Sequence, residues 1–142
     1  MGNKSAKECI FCQIRDSKNN QAPFYEDDEI FAFEDINISS SRRHILICPK
    51  QHIKNVNQLN YLDIELVKRL EQVGIQTLQE SHPNQQYRFG YHSPPLNSID
   101  HLHLHGFVLP ISNCINNKIL YGYFLTSNQQ IIKKLEKQQP ML

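Results

Sequence analysis

Apolar and polar positions change their period several times along the chain, and each change marks an element. In AKECIFCQIRDS, Phe11 and Ile14 lie three apart, as on one helical face, which predicts a short N-terminal helical turn. FYEDDEIFAFED reads as a hairpin, with Phe24 and Tyr25 before an acidic turn and Ile30, Phe31, Ala32 and Phe33 after it. HILICPK sets His44, Leu46 and Cys48 against Ile45 and Ile47, and its β-branched content predicts a central strand ended by Pro49. From about 58 to 81 the period becomes 3.6: Leu59, Leu62, Leu66, Leu70, Val73 and Leu78 form one stripe, flanked by Ile64 and Val67. One long helix packed on a sheet is expected there, capped by Asn57 and stopped at Pro83. Gly74 within it costs about 1 kcal/mol relative to alanine, so a close packing contact is expected at that point. QYRFGYH and IDHLHLHGFVLP return to strand character around the rigid turn SPPLNS. KILYGYF and an amphipathic helix over about 127–137 follow. The expected fold class is α+β: an antiparallel sheet with one long packed helix and a C-terminal helix.

Composition narrows the function classes. A chain of 142 residues suits one domain with a sizeable core. The net charge of +1 supplies no global field for nucleic acid or a membrane surface. A local cluster, Arg42, Arg43 and His44 with Lys50 nearby, reads either as an anion site or as a solvated turn. The start, MGNKSAKE, has no apolar leader, and no run approaches the roughly 18 apolar residues of a membrane span. No membrane association is expected, and the expected location is cytoplasmic, with the nucleus as a second compartment.

The chemistry concentrates at His101, His103 and His105, which alternate with Leu102 and Leu104. Strand residues i, i+2 and i+4 share a face, so the three rings point together, while Leu102, Leu104, Phe107 and Leu109 are assigned to the buried side. Three readings follow: a solvated face, a three-histidine metal site, or a nucleophilic and acid–base cluster working near neutral pH. Cys9 and Cys12 form a second candidate. In a reducing compartment CxxC reads as metal or redox before disulfide. The thioredoxin-like context of a redox pair is absent, and a zinc site needs two more ligands. Two unligated thiols are the remaining reading.

HLHLHGF resembles the His-φ-His-φ-His-φ-φ signature of the histidine triad (HIT) family, where φ is apolar, with Gly106 departing at the first of the final two apolar positions. CIFCQI, FAFEDI, RRHILICPKQHI and NSIDHLHLH occur in the order and spacing of its Hint-type branch with an N-terminal CxxC. The resemblance implies a single HIT domain over 1–142, with a core at about 8–110 and an extension at 111–142. It implies a homodimer that binds a purine, AMP-like nucleotide and hydrolyses nucleoside 5'-phosphoramidates through a nucleotidyl-histidine. By position, His103 matches the nucleophile, His105 a phosphate contact, His44 a fourth active-site histidine, and Ser98 a hydroxyl near the phosphate or leaving group. Asn97 stands where many relatives have Gln. His92, in GYHSPP, stands where others carry the Asn of an Asn-Glu-Gly loop. Phe11, Ile14, Phe33 and Ile36 match the base slot, and Asp35 matches the carboxylate that binds the ribose hydroxyls. The same resemblance implies a closed structural zinc site made of Cys9, Cys12, His52 and His101.

For the dimer, the long helix and YRFGYH are the expected contact surfaces, with Tyr87, Phe89 and Tyr91 alternating toward a two-fold partner. Two alternatives remain: aprataxin-like removal of adenylate from nucleic-acid 5' ends, and a nucleotide-sensing protein without turnover. After Pro110 there is one cysteine and no histidine, so a DNA-binding zinc finger, and with it nucleic acid as a partner, is not expected.

Overall fold

The structure is a computed structural model that describes residues 9–35, 42–97, 99–111 and 124–140. Its elements are α1 (Ile10–Arg15), β1 (Tyr25–Glu26), β2 (Ile30–Glu34), β3 (His44–Pro49), α2 (Ile64–Ser81), β4 (Tyr87–His92), β5 (Leu104–Val108), β6 (Leu125–Ser127) and α3 (Asn128–Glu136). The strands form one antiparallel sheet in the order β1-β2-β3-β5-β4-β6, which is the expected α+β arrangement. Among the described residues no helix is long and apolar enough to cross a membrane.

Side-chain parity divides the sheet into two faces. Ile45, Ile47, Leu104 and Val108 join Val67, Leu70, Leu78, Ile131 and Leu135 in the main core beneath α2 and α3. On the opposite face Phe31, Phe33, Leu46 and Cys48 pack against Cys9, Phe11, Cys12 and Ile14 of the α1 segment. The β1–β2 turn is closed by Asp27, whose Oδ1 accepts the backbone N–H of Glu29 and of Ile30, each at 2.8 Å. Its Oδ2 accepts from the Tyr25 hydroxyl and from Arg69, both at 2.6 Å.

The long helix is shorter than its periodicity predicts. Two single-turn 3-10 helices, Val56–Gln58 and Tyr61–Asp63, precede α2. Asn55, not Asn57, caps the first by accepting from the Asn57 N–H, and Asn60 forms a capping box with Asp63 ahead of α2. Short amide side chains compete locally for backbone hydrogen bonds, and here they break the helix that the apolar stripe implies. Leu59 is still buried, from a turn, whereas Leu62 is 75% exposed.

Phe89 explains both notable glycines. A β-carbon on Gly74 would lie 2.5 Å from Phe89 Cε1, and one on Gly106 would lie 2.8 Å from the same atom. The ring therefore occupies a slot between α2 and β5 that no larger residue permits, which accounts for the departure at Gly106 from the motif's apolar pattern. Gly106→Val is expected to lower stability by about 1–3 kcal/mol through overpacking. In a Phe89→Leu background that penalty should shrink; urea titration of the four variants measures the coupling.

The β4 aromatics do not form a free two-fold surface. Tyr91 is buried and donates its hydroxyl to Asn128 Oδ1 at 2.8 Å, Tyr87 donates to the His82 carbonyl, and Tyr87 and Phe89 pack against the main core. Along Gly90–His92 the outer edge of β4 is already paired with β6 of the same chain. Parity explains the miss: alternate residues of a strand between two others face whichever layer covers that side, here α2.

Candidate functional site

The β3–β5 register builds the site. His44 pairs with Phe107 and Leu46 with His105, which puts His44 and His105 diagonally adjacent on the α1 side of the sheet. His44 Nε2 lies 2.9 Å from His105 Nδ1, and His44 Nδ1 lies 3.1 Å from Asp35 Oδ2. The Asp35 backbone N–H also donates to the His44 carbonyl at 3.1 Å, so carboxylate and ring are held together twice. Phe107 stacks on His44 with ring centroids 4.1 Å apart and lies parallel to His105. It thus belongs with the histidines and not with Leu102 and Leu104, as its odd position dictates.

Only His105 of the triad lies inside β5. His101 and His103 enter through an extended segment that leaves the ladder, where the Leu102 N–H donates to the Ile53 carbonyl at 2.7 Å. The rings still share one side: Phe11 meets His101 at 6.0 Å and His103 at 5.0 Å, and His103 lies 5.0 Å from His105. His92, at the end of β4, reaches 4.7 Å from His105.

Hydrogen bonds settle the tautomers. A carbonyl only accepts, so His103 Nδ1–H donates to the His101 carbonyl at 2.7 Å and Nε2 keeps its lone pair. Burial pushes His103 down to about 4, opposed by that bond and assisted by His92. His44 is pushed down to about 3 by burial and by the neighbouring His103 and His92. A neutral His44 donates through Nδ1 to Asp35 and accepts at Nε2 from His105 Nδ1–H. His105 is held well below the ordinary histidine range by burial and by His103, His44 and His92. The result is a carboxylate–imidazole–imidazole relay beside a neutral ring that presents a lone pair.

This arrangement has a stability consequence. The unfolded chain titrates its histidines near 6.5, so between there and about 3 it binds a proton that folded His44 refuses. His44's contribution is complete above about pH 6.5 and is lost as pH falls through that window. Urea-unfolding free energy should fall by up to about 1.4 kcal/mol per pH unit from this group, and His44→Asn should flatten the slope by that amount. An unchanged slope would contradict a neutral buried His44.

The second cluster joins the cysteines to the triad. His101 Nε2–H donates to the Pro49 carbonyl at 2.9 Å, which turns Nδ1 toward Cys9 Sγ and Cys12 Sγ, each 3.4 Å away. His52 Nδ1 lies 3.3 Å from Cys12 Sγ. The ligand atoms of Cys9, Cys12, His52 and His101 all fall within 4.8 Å of one another, and the four residues can hold a metal ion. The three-histidine metal reading is overturned: among the described residues His101 alone of the triad joins the thiols, while His105 groups with Asp35 and His44.

Other assignments fall out from the same geometry. Phe11, Ile14 and Phe33, the expected base-slot residues, are buried in the second apolar cluster, with Phe11 and Phe33 edge to face at 5.2 Å. Ile36 and Ser98 lie outside the described residues. Asn97 donates to Asp100 at 3.2 Å. The basic cluster divides: Arg43 pairs with Glu34 at 3.0 Å, Arg42 with Gln85 and Lys50 with Glu26 outside the site, whereas His44 is buried within it. Residues that pattern reading missed are Phe107, Lys54 and Asn55. Parity signals the first, and Lys54, two residues after His52, follows it out of β3 into the site.

A family model described as scavenger mRNA decapping enzyme C-terminal binding matches residues 8–120. The chain is 44% identical over 104 residues to the bifunctional adenosine 5'-phosphosulfate phosphorylase/adenylylsulfatase HINT4 of Arabidopsis thaliana, covering 72% of this chain and 70% of that one. It is 30% identical over 134 residues to the adenosine 5'-monophosphoramidase HINT3 of Xenopus tropicalis, covering 90% and 87%. A HIT family hydrolase from Legionella pneumophila superposes with a TM-score of 0.65 at 29% identity, covering 70% of this chain and 90% of that chain. On these matches the chain belongs to the family of that model and is a histidine triad (HIT) protein, a hydrolase acting on nucleotides through its histidines.

Proposed function

We propose that this chain is a Hint-type enzyme of the CxxC branch that cleaves adenosine 5'-phosphoramidates through a nucleotide covalently held on His103. The observation that carries the reading is the 2.7 Å bond from His103 Nδ1 to the His101 carbonyl, which leaves Nε2 as a nucleophile next to His105. In the first step the Nε2 lone pair forms a bond to phosphorus, and the P–N bond to the leaving amine breaks as the amine takes a proton. Water then attacks the same phosphorus, AMP departs and Nε2 regains its lone pair. His105, protonated when a phosphate arrives, donates to the charged oxygens, and Asp35 behind His44 compensates that positive charge. Asp35 then serves the relay as well as, in this proposal, the ribose.

The relatives support the adenosine 5'-phosphoryl part of the reading. One is named for a phosphoramidate and the other for a phosphosulfate, so the nucleotide is shared and the leaving group differs. A homodimer belongs to the same proposal, with α2 and not the Gly90–His92 edge of β4 as its contact. The test is a rapid quench during turnover of adenosine 5'-phosphoramidate, without acid, followed by mass analysis. An adenylyl group on the His103 peptide is expected; accumulation on another residue would overturn the assignment.

We also propose zinc at Cys9, Cys12, His52 and His101. A tetrahedral ion with two sulfur and two nitrogen ligands needs them about 3.3–3.8 Å apart; here Cys9–His101, Cys12–His101 and Cys12–His52 stand at 3.3–3.4 Å and all four ligand atoms lie within 4.8 Å of one another. When bound, it would neutralise two thiolates and pin α1 to the triad segment, a structural role that leaves His103 free.

A further inference from the structure

Besides the four histidines of the site, the described residues bury one amide side chain, that of Asn128 at 1% exposure. It opens α3, yet the helix start does not use it. Ser127 Oγ accepts the Gln130 N–H at 3.2 Å and Gln130 Oε1 accepts the Ser127 N–H at 2.9 Å, a complete capping box. The Asn128 amide turns instead to other elements. Its Oδ1 accepts the Tyr91 hydroxyl of β4 at 2.8 Å, and its Nδ2 donates to the Val67 carbonyl of α2 at 3.0 Å and to Glu71 Oε2 at 3.3 Å. Directly before it, β6 pairs Ser127 with Gly90, Thr126 with Tyr91 and Leu125 with His92. The Ser93 and Thr126 hydroxyls close the next position at 3.3 Å. Parity then decides the outcome: Tyr91 enters the core beneath α2, and the next residue, His92, turns its ring to the other face, 4.7 Å from His105. Both β6 and α3 lie beyond residues 8–120, where the family model matches.

We infer that Asn128 is a positioning residue of the hydrolase: through Tyr91 and the β6 register it sets the place of the His92 ring beside His105, where the phosphoryl group is received. The inference deepens the hydrolase reading above and rests on it. Packing alone needs no amide here, since Ile131 and Leu135 already seat α3 in the core. A buried amide costs free energy unless its bonds are made, so it selects one register where an apolar residue tolerates several. Without it α3 keeps its apolar contacts, but the end of β4 loses the tie between Tyr91 and α2. His44, His103 and His105 are held from elsewhere, by Asp35, by the His101 carbonyl and by each other. The displacement therefore falls on His92, and a shift of about 1 Å in a group that meets the reacting atoms costs up to about a hundredfold in rate.

The test is a double-mutant cycle on the full chain with adenosine 5'-phosphoramidate: wild type, Asn128→Ala, His92→Ala and the double variant. Asn128→Ala should lower kcat about 10- to 100-fold with KM within about threefold, and His92→Ala should lower kcat at least as far. In the His92→Ala background, Asn128→Ala should change kcat less than about twofold, whereas its effect on Tm should persist in full. Tyr91→Phe keeps the ring in the core and removes only the hydroxyl, so it repeats the kcat loss in smaller measure if the alanine variant folds poorly. The ring Cε1–H resonance of His92 should move in Asn128→Ala and in Tyr91→Phe, while that of His101 stays. The same fall in kcat with and without His92 would show that Asn128 acts on the whole fold and would overturn the inference. Wild-type kcat in folded Asn128→Ala, or in His92→Ala, would overturn it too. A wild type that does not turn over the phosphoramidate removes the hydrolase reading, and the His92 resonance then decides the positioning alone: movement supports it, and an unmoved signal overturns it.

Discussion

His103→Ala is expected to lower turnover of adenosine 5'-phosphoramidate by at least about a thousandfold, because the covalent route has no other equally placed nucleophile. His101 is unavailable, since its Nε2–H is given to Pro49 and its Nδ1 faces the thiols. His105 gives Nδ1 to His44, and its remaining nitrogen is assigned here to the phosphate. AMP affinity should change far less, because the relay through His44 and Asp35 is untouched. The ring also packs on Phe11 at 5.0 Å, so the alanine variant loses some stability, and His103→Gln, which fills more of that space, provides a second reading of the same effect. Initial rates, calorimetric AMP binding and melting curves separate the contributions. Turnover within tenfold of wild type in either folded variant would remove His103 as nucleophile.

The legible part of this site was its parity. HILICPK and HLHLHGF show which residues share a face, and the register then brings His44 beside His105. Boundaries were less legible, because they depend on local hydrogen bonds that compete with periodicity. Asn55 and Asn60 cap the starts of two 3-10 turns where an apolar stripe runs on, and the bond from Leu102 to Ile53 draws two of the three histidines out of β5. Partner choice was the least legible. Asp35 can be recognised as a carboxylate at a strand end, but its 3.1 Å contact with His44 depends on the pairing of two strands. Gly106 looked like a defect in the motif until Phe89 was seen to fill its place.

Removing metal is expected to unfold the α1 side of the molecule and to disable the nucleophile in the same step. Purified protein should carry about one zinc per chain, and chelation should lower Tm by about 10 °C or more, since ligand assembly is part of the folding free energy of such sites. The link to activity is one residue long. His101 presents Nδ1 to Cys9 and Cys12 while its carbonyl accepts the proton that fixes the His103 tautomer. Loss of the ion leaves two buried thiols and an imidazole without the charge that holds them, and the His101 backbone is free to shift. kcat should therefore fall with zinc content while KM moves little. Cys9→Ser and Cys12→Ser should each reduce zinc content and Tm together. Cys48→Ser is the control: Cys48 is buried in the same apolar cluster but stands outside the four-residue ligand group, so zinc content should hold even if packing suffers. Full zinc retention in a Cys9→Ser, Cys12→Ser double variant would show that the ion sits elsewhere. A zinc-free protein with unchanged kcat would break the proposed coupling, which runs through His101 and through Phe11, a residue between the two cysteines that packs on His103.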